Sequence, residues 1–334
     1  MFTPPLKALR FDDFHVYGAS APEWNQRYQQ ISRGTMRSSM TEVVVGSVHL
    51  FRKALDQRVV QQGCLPAGKL CVVMLDSATG PARLQGREVN DSSISVLRGG
   101  DEFMLHRPAQ TELLALTVDA AQFDRLVAEQ LDAPMLRGLL RRSCIDVGRS
   151  DLAEFKALLS AMFVWGQGST VYALPPRRDL DMQALIHDGL LAVLRGAGRE
   201  GKRVKGLSAH GIVRECHRIT MDSAASPPPI EELCRRLRTS RRSLQDSFQT
   251  IAGTTPVDYL RCMRLNLVRQ TLHRTTVRQA SIGDIATRAG FAQLSHFAAE
   301  YKRLFAELPS QTLRADRLHP GAFTTTVDRR SSSS

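Results

Sequence analysis

Thr239 to Leu272 reads TSRRSLQDSFQTIAGTTPVDYLRCMRLNLVRQTL. Leu244, Phe248 and Ile251 recur at the spacing of one helical face, and Ser240 stands where an N-cap belongs. Arg242, Gln245, Asp246 and Gln249 fall on the opposite face. The break at GTTP ends the pattern. PVDYLRCMRLNLVRQTL then supplies one longer helix, with Tyr259, Met263, Leu267 and Leu272 among its apolar positions.

The flanking sequence repeats this unit. Ile230, Leu233 and Leu237 return 52 residues later as Ile282, Ile285 and Ala289. Past the turn the offset is 53, and Leu244, Phe248, Ile251 and Pro256 find counterparts in Phe297, Tyr301, Leu304 and Pro309. Two helix-turn-helix units would give this pattern, because their seams must pack while the turn tolerates one extra residue. A rigid connecting helix would hold two recognition helices for successive major grooves, about 34 Å apart.

The first outward face has the chemistry of groove readout. Arginine matches guanine edges, glutamine matches adenine and aspartate accepts from cytosine, so Arg242, Gln245 and Asp246 are the expected base contacts. Arg235, Arg236, Arg238 and Arg241 are expected at phosphates, together with Gln249, Lys302 and Arg303. In the second unit Leu294, Phe297, Tyr301 and Leu304 are expected inward. That leaves Ser295, His296 and Ala299 for the bases, with Arg303 beside them. The first unit should therefore supply most base discrimination and the second should mainly orient the protein.

Upstream, from about Gln29 to Val118, short strands alternate with turns: MTEVVVGSVHLF, KLCVVMLD, SISVL, DEFMLH and ELLALTV. Phe103 and Leu105 alternate with Glu102 and Met104, which suits a sandwich or small barrel with one buried face per strand. After Asp119 the period becomes helical, with Asp119 and Asp151 as N-caps. These helices either form a homodimer surface or cover an open side of the sheet. Gly196 to Gly211 is rich in glycine and charge, the mark of a linker between independently packed units. The fold class expected is α+β and multidomain. It comprises a β-rich sensor at 1–118, a helical region at 119–197, a linker at 198–206, an all-α DNA-binding domain at 207–320 and a disordered tail at 321–334.

Composition agrees. The 334 residues are 43% hydrophobic with a formal net charge of +12, which favours a polyanionic partner such as double-stranded DNA. Six cysteines without a CxxC pair suggest neither a zinc knuckle nor a disulfide framework. MFTPPLKALRFDDF lacks the pattern of a secretory signal, and no apolar run approaches the roughly 20 residues a membrane span needs, so the cytoplasm is expected and a membrane partner is not. His15, His49 and His106 are too scattered to predict a metal site, and no GxSxG, Walker A or GxGxxG is present. Neither a catalytic residue nor a cofactor is expected. The rival of a different class is a cupin-like metal enzyme carrying a DNA-binding appendage; a ligand-responsive repressor is equally compatible with these residues.

From about Leu207 to Leu318 the chain resembles the AraC/XylS family of bacterial transcription regulators, through the doubled motif, GTTPVDYLRCMRLNLVRQTL and ATRAGFAQLSHFAAEYKRLF. TSRRSLQDSFQTIAGTTP and TEVVVGSVHLFRKALDQRVVQQGCL further resemble the regulator of ethanolamine-utilisation operons and its amine-catabolism relatives. The resemblance implies an activator that binds promoter DNA, contacts RNA polymerase and senses a small-molecule effector in a cupin-like N-terminal part. Its base-reading positions fall on Arg242, Gln245 and Asp246 and on Leu294, Ser295, His296 and Ala299. Leu294 replaces a common polar residue and no strong cap precedes it. For an amine effector a pocket carboxylate is expected, with Glu42 and Glu102 as candidates; the ligand-binding residues themselves stay unassigned. Relatives of the ethanolamine type imply cobalamin sensing, for which no residue here speaks.

Overall fold

The strands foreseen in the first third do form, as two antiparallel sheets, in a computed structural model that describes residues 6–130, 132–168, 176–197, 209–274 and 280–318. They are β1 (Lys7–Phe11), β2 (Arg27–Gln30), β3 (Ser38–Val45), β4 (Val48–Leu55), β5 (Val59–Cys64), β6 (Lys69–Ser77), β7 (Ala82–Leu84), β8 (Arg87–Val89), β9 (Ser93–Arg98), β10 (Glu102–Arg107), β11 (Thr111–Asp119) and β12 (Cys144–Asp146). One sheet runs β1-β3-β4-β11-β6-β9-β12 and the other β2-β5-β10-β7-β8. β12 lies inside the stretch expected to be helical, yet it completes the larger sheet beside β9.

The helices are α1 (Phe14–Ala19), α2 (Ala120–Ala128), α3 (Ala133–Leu140), α4 (Arg149–Gly168), α5 (Pro176–Arg195), α6 (Ala209–Asp222), α7 (Ile230–Leu237), α8 (Arg241–Ala252), α9 (Pro256–Arg274), α10 (Ile282–Arg288), α11 (Leu294–Phe305) and α12 (Pro309–Leu318). Asp119 caps α2 through the Gln122 amide, as expected. Asp151 does not cap α4. That helix begins two residues earlier, at Arg149, and Asp151 sits in its first turn, where a carboxylate still favours the helix dipole. The linker expected at 198–206 and the tail at 321–334 lie outside the described residues.

Each sheet buries both faces, which gives the molecule four layers. Between the sheets, Phe51 and Leu55 of β4 meet Phe103 and Leu105 of β10. On the outer face of the larger sheet, Val43, Leu50, Val72 and Leu116 pack against Phe123, Leu136, Phe155 and Leu190 of α2–α5. The helices therefore cover an otherwise open side of the sheet. On the outer face of the smaller sheet, Val60 and Met104 join one core with Val213, Leu233, Phe248 and Tyr259 of α6–α9. Met104 was expected to face outward. It is 2% exposed because the helical unit lies over it. Burying a side chain of this size contributes about 1.5–3 kcal/mol, so a core shared between sheet and helices is a substantial tie, and the two units are not independently packed.

The doubled motif folds as its seams require. Leu233, Leu237, Leu244, Phe248 and Ile251 are buried in the first unit, and Ile285, Ala289, Phe297, Tyr301 and Leu304 in the second. Pro256 and Pro309 open α9 and α12 at the matching place, where a proline loses no helical hydrogen bond. α9 is apolar on two sides. Tyr259, Leu260 and Met263 serve the first unit, while Leu265, Val268 and Leu272 serve the second.

Candidate nucleic-acid interface

Ser240 caps α8 by accepting from the Ser243 amide, which starts the helix just where its side chains leave the protein surface. Arg242 is 92% exposed, and Gln245, Asp246 and Gln249 are exposed beside it. Leu244, Ser247, Phe248 and Ile251 take the other side to the core. Arg242 Nε and Asp246 Oδ2 lie 3.9 Å apart, one turn apart on the helix, so the acid holds the guanidinium loosely without covering it. An exposed pair of this kind contributes only about 0.3–0.5 kcal/mol, little resistance to trading Asp246 for a base edge.

The cations in front of α8 divide into two sets. Arg235 and Arg236 both bond the Glu232 carboxylate, at 2.7 Å each, and hold its pKa down at about 2. Glu232 answers one of their two charges, and both guanidinium groups stay exposed to solvent. Arg241 lies 3.4 Å from Glu231 with both side chains exposed. Arg238 forms no side-chain bond or ion pair with a described residue, and it adopts φ 49° to close α7. The matching residue of the second unit is Gly290, at φ 78°. A side chain in this left-handed conformation costs roughly 1–2 kcal/mol that glycine avoids.

α11 is laid out less favourably. Its N-cap residue, Gln293, makes no side-chain cap bond. Ser295, His296 and Ala299 are exposed, as are Lys302 and Arg303. Leu294 was expected in the core but is 49% exposed, since it occupies the first turn and leans toward Gly283 instead. Cross-braces from α9 fix the unit in place. Arg261 bridges to Glu300 at 3.3 Å, and Arg264 donates to the Gly290 carbonyl at 3.1 Å while lying over the Phe291 ring.

A second cluster escaped sequence reasoning: the joint between the sandwich and the helices. Asp13 caps α1 through the His15 and Val16 amides, and its other oxygen receives Arg269 at 2.6 Å and His273 at 3.0 Å. Arg269 also meets Glu307. Asn266 and Gln30 exchange two bonds of 2.9 Å across the joint, and the Gln30 amide donates to the Leu304 carbonyl. Arg58 donates to the Ala252 carbonyl at the end of α8. Tyr259 of α9 places its hydroxyl 3.1 Å from His217 Nδ1 and 3.4 Å from His106 Nε2, all three buried. Burial pushes His106 down to about 3 and His217 to about 4, so both are neutral at pH 7.

Of the two candidates for an amine-binding carboxylate, Glu42 lies on the sandwich face of β3, opposite Phe51, whereas Glu102 alternates outward from Phe103. Glu42 is half-buried against His49 at 3.5 Å, which with burial opposing leaves its pKa lowered, and Glu102 is exposed. Among the described residues no cluster of metal-ligating side chains is found, and no helix is long and apolar enough to cross a membrane.

A short helix, a tight turn and a second helix with one buried and one polar solvent-facing side, present twice on a shared strut, define the helical unit as a paired helix-turn-helix DNA-binding domain. Residues 233–315 match the family described as "Helix-turn-helix domain". The chain is 27% identical over 207 residues to the "Probable thc operon regulatory protein" of Rhodococcus erythropolis, covering 62% of each chain. It is 38% identical over 89 residues to "XylDLEGF operon transcriptional activator 2" of Pseudomonas putida, 27% of this chain and 57% of that one. The chain thus spans about three-fifths of the length of these curated relatives. Among solved structures it is similar to the "AraC-like transcriptional activator CuxR", with 14% identity, 85% of this chain and 99% of the other covered, and a TM-score of 0.45. The homologues are transcription regulators of the AraC/XylS type, not enzymes.

Proposed function

We propose that the chain is a ligand-responsive transcription activator whose α8 and α11 occupy neighbouring major grooves of promoter DNA beside RNA polymerase. Arg242, Gln245 and Asp246 read bases in one half-site; Ser295, His296 and Ala299 face the other. Arg238, Arg241, Gln249, Lys302 and Arg303 meet phosphates. The observation that carries this is the wholly exposed polar face of α8, backed by a buried apolar one and held on α9. Arg238 supports it from another side, since a cation is kept where the matching position has glycine.

The sandwich takes the effector, and its occupancy shifts how the helical unit is held at the joint. The looser likeness to amine-responsive regulators suggests an amine, but no carboxylate lines the cavity between the sheets, and Glu42, on the inward face of β3, is engaged with His49. A homodimer would use α4 and α5, where Val164, Leu180 and Leu185 are exposed. Selection from a randomised duplex library with the full chain should recover a bipartite motif with half-site centres about 10–10.5 base pairs apart. The half read by α8 should carry most of the sequence information, and recovery of no motif overturns the proposal.

A further inference from the structure

β4 alternates into the sandwich as Phe51, Lys53 and Leu55, and β10 as Phe103, Leu105 and Arg107. Two cations thus point where the pattern calls for apolar residues. Both are buried, Lys53 at 9% and Arg107 at 1% exposure. The one buried acid among the described residues is Asp13, which is committed to Arg269 and His273. The Lys53 ammonium forms no hydrogen bond or ion pair with a described residue, although Glu42, on the same face of the sheet, and Glu23 act on its charge from farther away; it lies 5.5 Å from the centre of the Trp24 ring and 5.3 Å from that of Phe51. Arg107 bonds the carbonyls of Lys53 and Thr111 through Nη2, which leaves Nε and Nη1 without partners.

Beside Lys53 stands Gln26. Its side-chain oxygen accepts from Tyr28 at 2.6 Å and from Gln61 at 3.3 Å, and its buried amide nitrogen has no partner. Buried charges are normally paired and buried donors bonded, because leaving either unmet costs several kcal/mol. A small cavity lined by Trp24, Gln26, Phe51, Lys53 and Phe103 therefore presents a partnerless amide donor and an ammonium with no carboxylate in its lining. Burial lowers the Lys53 pKa to about 8, which leaves the ammonium mostly protonated at neutral pH.

We infer that this cavity binds a small organic acid, its carboxylate on the Lys53 ammonium and the Gln26 amide and its apolar body against Trp24, Phe51 and Phe103. The assignment rests on the effector-sensing function proposed above and names the chemical class of that effector. The free volume is only about 30 Å³, room for the head group, so seating the body displaces wall side chains. Trp24 and Gln26 lead directly into β2, whose Gln30 is bonded to Asn266 of α9. Filling the cavity thereby strains the joint that holds the helix-turn-helix units.

The test uses the full chain at pH 7 and calorimetric titration with straight-chain acids from acetate to octanoate and with phenylacetate, each beside its amide and its amine. At least one acid should bind, its amide at least tenfold more weakly and its amine not at all. Lys53→Met should weaken the acid about 10- to 100-fold through loss of a charged hydrogen bond, and Gln26→Leu by a smaller factor. Lys53→Met alone should melt no lower than wild type, because it removes an unpaired buried charge; a merely structural lysine would give the opposite. Failure of every acid, binding of amines in their place, or unchanged binding by both variants overturns the assignment. If sequence-selective duplex binding persists while no acid binds, this assignment alone falls; if acids bind and duplex binding is absent, the DNA proposal alone falls.

Discussion

Asp13→Asn isolates the joint. Asparagine keeps a side-chain oxygen for the His15 and Val16 amides, so the cap of α1 survives. On the other side an amide nitrogen now faces Arg269, at 2.6 and 2.9 Å from the original oxygen, and His273, at 3.0 Å. Removing one partner of a buried ion pair costs about 3–5 kcal/mol, and Arg269 retains Glu307, so the lower end, about 3 kcal/mol, is expected. That is about two decades in the equilibrium for opening the joint. Burial alone would raise the Asp13 pKa, but the hydrogen bonds and charges of His273 and Arg269 outweigh it and hold the carboxyl well below the usual range. With the folded value depressed, the stabilisation is complete above the unperturbed value of 3.8 and drains away as pH falls below it, so the gap between variant and wild type should close there. Urea unfolding of the full chain by circular dichroism measures the loss, with Asp12→Asn at the exposed neighbour as control. A loss below about 0.5 kcal/mol, or simple additivity with Arg269→Met, refutes the coupling.

The buried histidines give a second acid signature. With His106 and His217 depressed, the unfolded chain takes up protons below 6.5 while the folded chain does not, so stability should fall from pH 6.5 through about 4 and then about 3. His217→Gln should flatten melting temperature against pH over that span. Ser240→Ala should cost about 1 kcal/mol of stability, whereas Gln293→Ser, which supplies α11 with its missing cap, should gain about 0.5–1 kcal/mol in the same melts. Lys302→Ala should weaken all duplexes alike and lower the slope of log affinity against log salt by about 1, as measured by fluorescence anisotropy.

The helix-turn-helix pair was legible because a packing seam repeats in sequence as it repeats in space. Leu244, Phe248 and Ile251 announced their burial, and with it the exposure of Arg242 and Gln245. The joint was not legible. Asp13 and Arg269 lie 256 residues apart, and no local pattern connects them. Met104 was misplaced for a related reason: alternation tells the two faces of a strand apart, but not whether a later segment will cover the second. Leu294 misled because an apolar residue in a first helical turn need not reach the seam. The pairing of Arg235 and Arg236 with Glu232 could have been foreseen from the three- and four-residue spacing of opposite charges. Lys53 gave a signal too, as a charge amid the inward positions of HLFRKAL, but one lysine in a strand pattern reads first as an edge or surface residue.

The outward face of α8 as base reader is tested most directly by comparing selection profiles of wild type and Arg242→Ala over randomised duplexes at one salt concentration. Preference should relax at one or two adjacent positions of one half-site, by about 1–3 kcal/mol, with the other half-site unchanged. Weakening by the same factor at every sequence, with the preferred motif intact, would show that Arg242 meets only the phosphate backbone and would contradict the account.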